Sequence, residues 1–255
     1  MARRKSKLES FKSAIYTVFA IIMIGVTIYG FISRYLQPQP EVVINTNSQE
    51  VIANIPEFNG ENYWIEVNNM KPLFTQEEIE EAKNSYIRLS ELDSLKRVGP
   101  AQMSASQDTQ PSDNEKRESI SSIKPTGWVQ TQYEYNNRKF SLYNRGHLLM
   151  WKLSRLNAEP KNLATMTEWC NQIVMTKFEY YLTDYLKEYP DRHILYRITP
   201  VFEGNNLVAK GFLMEAYSVE DSGYGVEFCV FIYNNEPGIT IDYSTGKSHY
   251  IEMGN

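Results

Sequence analysis

Cysteine and histidine are scarce in this chain, with two and three copies in 255 residues. Cys170 and Cys229 cannot build the multi-bridge framework of a small disulfide scaffold. An apolar core must therefore hold the fold, and 42% apolar residues suffice for one. The two thiols read as two buried small hydrophobes or as one bridge, and sequence alone does not separate these. Positive charge is also lacking. A formal net charge of −5 excludes a protein that grips a polyanion by bulk electrostatics. No internal repeat is visible, and between Lys12 and Arg34 there is no charged side chain at all.

That uncharged run, residues 13–33, is apolar all round and just long enough for a hydrocarbon layer of roughly 30 Å. It exceeds the apolar part of a signal peptide, about 7–15 residues, and no Ala-x-Ala pattern follows. An uncleaved transmembrane helix is therefore favoured over a signal peptide. Arg3, Arg4, Lys5, Lys7 and Lys12 precede the run, which predicts a cytoplasmic tail over residues 1–12 and an exported remainder. Residues 34–54 contain Gln37-Pro38-Gln39-Pro40 and Asn45-Thr46-Asn47-Ser48-Gln49 and read as a spacer. Residues 55–255 then form the extracellular domain.

Within the exported part the charge is uneven. Residues 35–255 sum to −10, yet residues 124–184 hold eight basic and five acidic side chains. A locally positive region inside an acidic domain suits brief capture of a polyanion better than tight retention.

Secondary-structure signals are legible in places. Tyr63-Trp64-Ile65-Glu66-Val67 reads as a short strand. Thr75-Gln76-Glu77-Glu78 is a capping-box pattern that opens a helix running to about Leu89. Residues 103–122 are rich in Ser, Asp, Gln and Asn and by composition look like a linker. Residues 128–133 and 139–143 favour β structure around the turn Tyr135-Asn136-Asn137-Arg138, which predicts a hairpin. Val174, Phe178, Tyr181, Leu182 and Tyr185 follow an amphipathic helical period from Asn171 to just before Pro190. Three more strands follow at residues 193–200, 207–219 and 226–233, the first two joined by Glu203-Gly204-Asn205-Asn206. Strand, strand, helix is thus the order around His147, within an α+β fold built on a mixed or antiparallel sheet.

The chemistry gathers at Tyr143-Asn144-Arg145-Gly146-His147-Leu148, followed by Asn162, Asn171 and Glu179. Taken singly, each has an ordinary explanation. A lone histidine is usually a surface or packed residue, Asn171 is a good helix cap, and Glu179 reads as a solvated helical acid. On a regular α-helix Glu179 lies about 80° round from Asn171 and about 12 Å along the axis. His193 and His249 have no comparable surroundings.

Jointly the set resembles the DNA/RNA non-specific endonucleases, a family with a ββα-metal (His-Me finger) site, in its membrane-anchored bacterial branch. Asn144-Arg145-Gly146-His147 is similar to the family's Asp-Arg-Gly-His. Asn162 falls at the site-organising asparagine, Asn171-Gln172 at the metal-binding Asn-Gln and Glu179 at the helical glutamate. Similar segments include Tyr196-Arg197-Ile198-Thr199-Pro200, Met214-Glu215-Ala216-Tyr217 and Pro237-Gly238-Ile239-Thr240-Ile241-Asp242, so the likeness covers about residues 55–247. It argues that residues 103–122 are a loop within one fold.

The resemblance implies a Mg²⁺-dependent endonuclease, with Mn²⁺ able to substitute, acting on DNA and also RNA without sequence preference. His147 would be the general base and Asn171 the metal ligand. Glu179 and Asn144 would orient the metal's water shell. Arg145 would hold the phosphate or brace its loop. Asn144 departs from the family's Asp, keeping the hydrogen-bonding shape but losing a charge, which bears on metal affinity and pH optimum. Two rival readings remain: an anchored nucleic-acid- or wall-polymer-binding module without catalysis, and an envelope assembly protein.

Overall fold

The computed structural model describes residues 46–251 apart from Asn136. The predicted tail and membrane span, residues 1–33, lie outside them. Among the described residues no helix is long and apolar enough to cross a membrane.

A six-stranded antiparallel sheet forms the frame. Its strands are β1 (Trp64–Glu66), β2 (Tyr86–Leu89), β3 (Ala101–Ala105), β8 (Ile194–Val201), β9 (Gly211–Ser218) and β10 (Glu227–Tyr233), ordered β1-β10-β9-β8-β3-β2. Three two-stranded ribbons stand apart from it: β4 (Gln132–Tyr135) with β5 (Arg138–Ser141), β6 (Tyr143–His147) with β7 (Leu163–Thr167), and β11 (Ile239–Asp242) with β12 (Lys247–Tyr250). The helices are α1 (Thr46–Ala53), α2 (Gln76–Glu81), α3 (Trp151–Ser154) and α4 (Thr176–Glu188), the last preceded without a break by a π-helix, Trp169–Met175.

Both faces of the central strands are covered, which is why their sequences read as nearly continuous apolar runs. Alternate residues go to opposite sides. Ile194, Tyr196 and Ile198 join Met214, Val174 and Leu182 in the main core under α4. Leu213, Phe231 and Cys229 face a second cluster onto which Val51, Ile52 and Phe58 pack. Both cysteines are buried and free.

Arg197, on that second side, is fully buried. Its guanidinium donates to Glu215 at 2.9 Å, Glu78 at 2.7 Å and Gln102 at 3.3 Å, and lies 4.7 Å over the Phe74 ring. Glu215 also accepts from the Leu73 backbone at 2.8 Å, and Glu78 from that of Thr75 at 2.8 Å. The capping box expected at Thr75 therefore exists, and its acid also binds α2 to the sheet.

Several expectations need correction. The helix from Thr75 stops at Glu81 rather than near Leu89. Tyr86-Ile87-Arg88-Leu89 gains more by pairing with β3, against Ser104, Met103, Gln102 and Ala101. Residues 103–105, read as linker or loop, belong to β3, whose five residues are all buried between β2 and β8. Residues 46–53, placed in the spacer, form α1, because Val51 and Ile52 can pack on the second core. The hairpin around Asn137 forms as expected, but its first strand starts at Gln132, not at Trp128. The strand expected from Leu207 begins at Gly211, after a loop in which Leu207 and Val208 bond to the Tyr243 carbonyl.

Replacing Arg197 by Ala should cost about 3–5 kcal/mol of unfolding free energy, because Glu215 would stay buried without its cation and Glu78 would lose its partner. Urea denaturation of the two proteins measures it. A loss below about 1 kcal/mol would mean that the ion network contributes no more than a surface pair.

Candidate active site

The ribbon β6–β7 and the helix after it make the strand–strand–helix unit. His147 ends β6 instead of following a hairpin, and its partner strand β7 comes from the segment after Asn162. The register sets His147 opposite Leu163, Gly146 opposite Ala164 and Asn144 opposite Met166. Buried polar groups tie this unit to the sheet. The Asn234 amide accepts from the Thr167 backbone at 2.8 Å and donates to the carbonyls of Thr165 and Ala209, each at 3.0 Å. Glu236 accepts from the Trp169 backbone at 2.8 Å and pairs with Arg138, and burial raises its pKa to about 6.

A cleft of about 470 Å³ opens at the end of this unit, lined by His147, Asn171, Glu179, Asn144, Arg145 and Arg117 among others. It gathers five of the six residues singled out in the sequence.

His147 is 9% exposed. Its Nε2 lies 2.8 Å from the Asn157 carbonyl oxygen, which can only accept, so Nε2 carries the hydrogen. Nδ1 is left with its lone pair, approached by the Arg117 guanidinium at 3.4 Å. Burial lowers the His147 pKa, the Asn157 contact opposes this and the Arg117 charge adds to the lowering. The ring is therefore neutral at pH 7, and one nitrogen is able to take a proton.

Asn171 sits in the π-helix, where the wider winding replaces the regular α geometry on which the 80° offset to Glu179 was reckoned. Its Oδ1 comes within 3.0 Å of where a β-carbon on Gly146 would stand, and that carbon would also be 2.1 Å from Met166 Sδ. A larger residue there would have to displace the Met166 side chain and press on the Asn171 amide. Glu179, read as a possible solvated acid, is instead 7% exposed. Burial raises its pKa to about 8, and the nearby Lys152 charge only partly offsets this.

Among the described residues no group of three or more His, Cys, Asp or Glu side chains is placed to hold a metal. The cleft offers an amide oxygen and a carboxylate instead. Those are hard donors of the kind that suit a cation keeping most of its water, and a carboxyl group whose ionisation is held back by burial gains from a cation beside it.

Asn162 does not line the cleft. It is fully buried and clasps Leu149, accepting from its N–H and donating to its C=O, both at 2.9 Å, while its own carbonyl takes the Leu148 N–H. It thereby fixes the chain as it leaves His147. Arg145 donates to the carbonyls of Ile123 and Ser121 and stacks 4.2 Å over Trp128, the geometry of a loop brace. The Asn144 side-chain nitrogen is buried without a partner.

Sequence reasoning missed Arg117, Asn157 as the partner of the histidine, and Trp151, Lys152 and Tyr180 along the cleft. Arg117 lies in the polar stretch that read as a linker, where no periodicity marks a functional cation.

Fold and site together define an α+β protein with a strand–strand–helix unit presenting histidine, amide and carboxylate to one cleft. The sequence pattern of DNA/RNA non-specific endonucleases matches residues 76–220. The protein belongs to that family and is a nuclease. Its fold is similar to NucA from Streptococcus agalactiae with a magnesium ion bound, at TM-score 0.64 and 23% identity over 80% of this chain and 94% of that one. It is also similar to Sda1 nuclease with bound zinc, at TM-score 0.62 and 22% identity over 75% and 97%. An extracellular endonuclease matches at TM-score 0.51 and 22% identity over 71% and 90%.

Glu179 makes a pH prediction in metal-free buffer. The native state holds its proton up to about pH 8, whereas an unfolded chain releases it near 4.5. The associated stability is present below the lower value and is lost as pH rises through the upper one. Glu179→Gln should therefore gain on the parent protein between pH 5 and 8.5, by on the order of a few kcal/mol. Urea midpoints at the two pH values test this, and a difference that does not change with pH sinks it.

Proposed function

We propose that the protein is a metal-dependent, sequence-non-specific endonuclease that hydrolyses phosphodiesters of DNA and RNA outside the membrane. The observation that carries this reading is His147, which lines one cleft with Asn171 and Glu179 and whose Nε2–H is fixed on the Asn157 carbonyl, leaving the Nδ1 lone pair free beside Arg117.

In the proposed reaction Nδ1 takes the proton of a water molecule attacking phosphorus. The Asn157 carbonyl holds the ring in place and stabilises the imidazolium that forms. Asn171 Oδ1 would hold the cation, with Glu179 and Asn144 orienting its waters. Bound there, Mg²⁺ or Mn²⁺ would supply counter-charge for the transition state and ease departure of the leaving oxygen. Arg117 is exposed and held by hydrogen bonds of 3.3 and 3.4 Å and by a distant ring contact with Trp151, so it can turn to a phosphate oxygen. Arg145, engaged on two carbonyls, positions the loop in front of the site. Asn162 positions His147 through Leu148 and Leu149. The magnesium seen in the streptococcal NucA structure supports the choice of cation.

No base-reading element stands out, and phosphate contacts carry no sequence information. Residues 13–33 would anchor the enzyme, with residues 1–12 in the cytoplasm, a spacer over residues 34–54 and the nuclease domain from 55 to 255 extracellular.

His147→Ala should lose at least about 10²–10⁴-fold in rate at any metal concentration. Asn171→Ala should recover partly as metal is raised, and Glu179→Ala should lose about 10–100-fold. Plasmid cleavage against Mg²⁺ concentration measures all three, and the products should be a smear. Near-native activity of His147→Ala at saturating metal would overturn the assignment, and a discrete ladder would overturn the lack of sequence preference.

Protease added to intact cells should digest the chain beyond Arg34. If that part is protected until lysis, the proposed orientation is wrong.

A further inference from the structure

Beside the catalytic groups the cleft carries two aromatic side chains that the reaction does not use. Trp151 opens α3 and is half-buried, and Tyr180 on α4 is 51% exposed. Cations stand against both rings. Lys152 Nζ lies 5.2 Å from the Tyr180 centroid, and the Arg117 guanidinium lies 5.7 Å from the Trp151 centroid. Trp151 and Lys152 also form the wall of a second cleft of about 590 Å³, which continues past α3 and is lined by Gln107, Gln110, Asp113, Asp184 and Lys187 among others. Along the cleft that also holds His147 and Glu179 stand two aromatic rings, each with a cation over one face.

Alternating aromatics and cations suit a nucleic-acid strand whose bases are unpaired. A base would stack on the face of each ring that its cation leaves free, or displace that cation, and Lys152 and Arg117 offer charge to the phosphates between the bases. In a duplex each base face is already covered by its neighbours, so a duplex cannot use the rings without local opening. The second cleft holds Asp113, Glu115 and Asp184 against Lys152 and Lys187. That balance disfavours a phosphate there, but it does not disfavour an uncharged base.

We infer that Trp151 and Tyr180, with Lys152 between the two clefts, form a stacking platform for unpaired nucleotides next to the phosphate being cut. Single strands and locally opened duplexes are then the better substrates. The inference rests on the nuclease reading of the same site.

The test uses the full chain with Mg²⁺ and one single-stranded DNA, normal at both ends and with a central run of roughly eight abasic nucleotides, within the span such grooves cover. Cleavage in the ends reports the nuclease, and cleavage in the centre reports the need for bases. The parent protein should cut the ends about ten- to a hundredfold faster than the centre. Tyr180→Ala, at an exposed position, and Trp151→Ala/Tyr180→Ala should bring that ratio toward one. Trp151→Phe/Tyr180→Phe, which keep ring faces, should retain it. Equal cleavage of ends and centre by the parent protein overturns the platform, as does an unchanged ratio in the Ala variants. If the ends are not cut at all, the nuclease reading falls and the platform falls with it.

Discussion

The site depends on a missing side chain. At Gly146 the β6 backbone passes so close to Met166 and Asn171 that a β-carbon has no room. That approach lets His147, the next residue, share a cleft with an amide carried on a separate helix. It couples two elements whose relative position no local propensity could set. Met166 closes the contact from β7, so β6, β7 and the π-wound start of the helix meet at this one point. Close packing makes such a limit hard, since interiors have few voids into which an extra methyl group could relax.

Around this contact the structure divides its polar groups by task. Asn162, Asn234, Glu236 and Arg197 are buried and bonded to backbone or to each other, and each fastens one element to the next. Buried groups of this kind are costly when unpaired, so a complete set of partners marks them as framework. The cleft groups show the opposite pattern. Glu179 is buried with its carboxyl pKa raised to about 8, and Arg117 is held by two long contacts. Groups left incompletely satisfied at a solvent-facing cleft are where a ligand has something to offer.

What the sequence disclosed follows this division. His147, Asn171 and Glu179, each ordinary when taken singly, were legible through the joint resemblance to a family pattern, and the structure gathers them in one cleft. Strands β8 to β10 were legible because burial on both faces writes a continuous apolar run. Strand β3 was not, since Gln102, Ser104 and Ser106 look like loop residues until Arg197 and the Ala82 carbonyl are seen to bond Gln102 and Ser104 from inside. The stop of α2 was missed for a related reason. Tertiary pairing of Tyr86–Leu89 outweighs a local preference for helix, which amounts to only a few tenths of a kcal/mol per residue. The π-helix left no trace in the amphipathic pattern, because its winding differs from the α period over only seven residues. Arg117 was hidden for the plainest reason: its importance comes from where a loop crosses His147.

Asn144 shows how the two kinds of residue meet. It lies on β6 in the cleft, three residues before His147, and its side-chain nitrogen has no acceptor inside the protein. A framework residue in that state would cost about 1–3 kcal/mol with no return. Asn144 lines the cleft, so this unmet donor lies at the boundary between framework and site. A carboxylate in its place could only accept, and would add negative charge beside a polyanion in a domain that already carries −10 over residues 35–255. In a protein without bulk positive charge, capture of nucleic acid falls to a few local groups, and Arg117, Arg145 and Lys152 are the basic ones along the cleft.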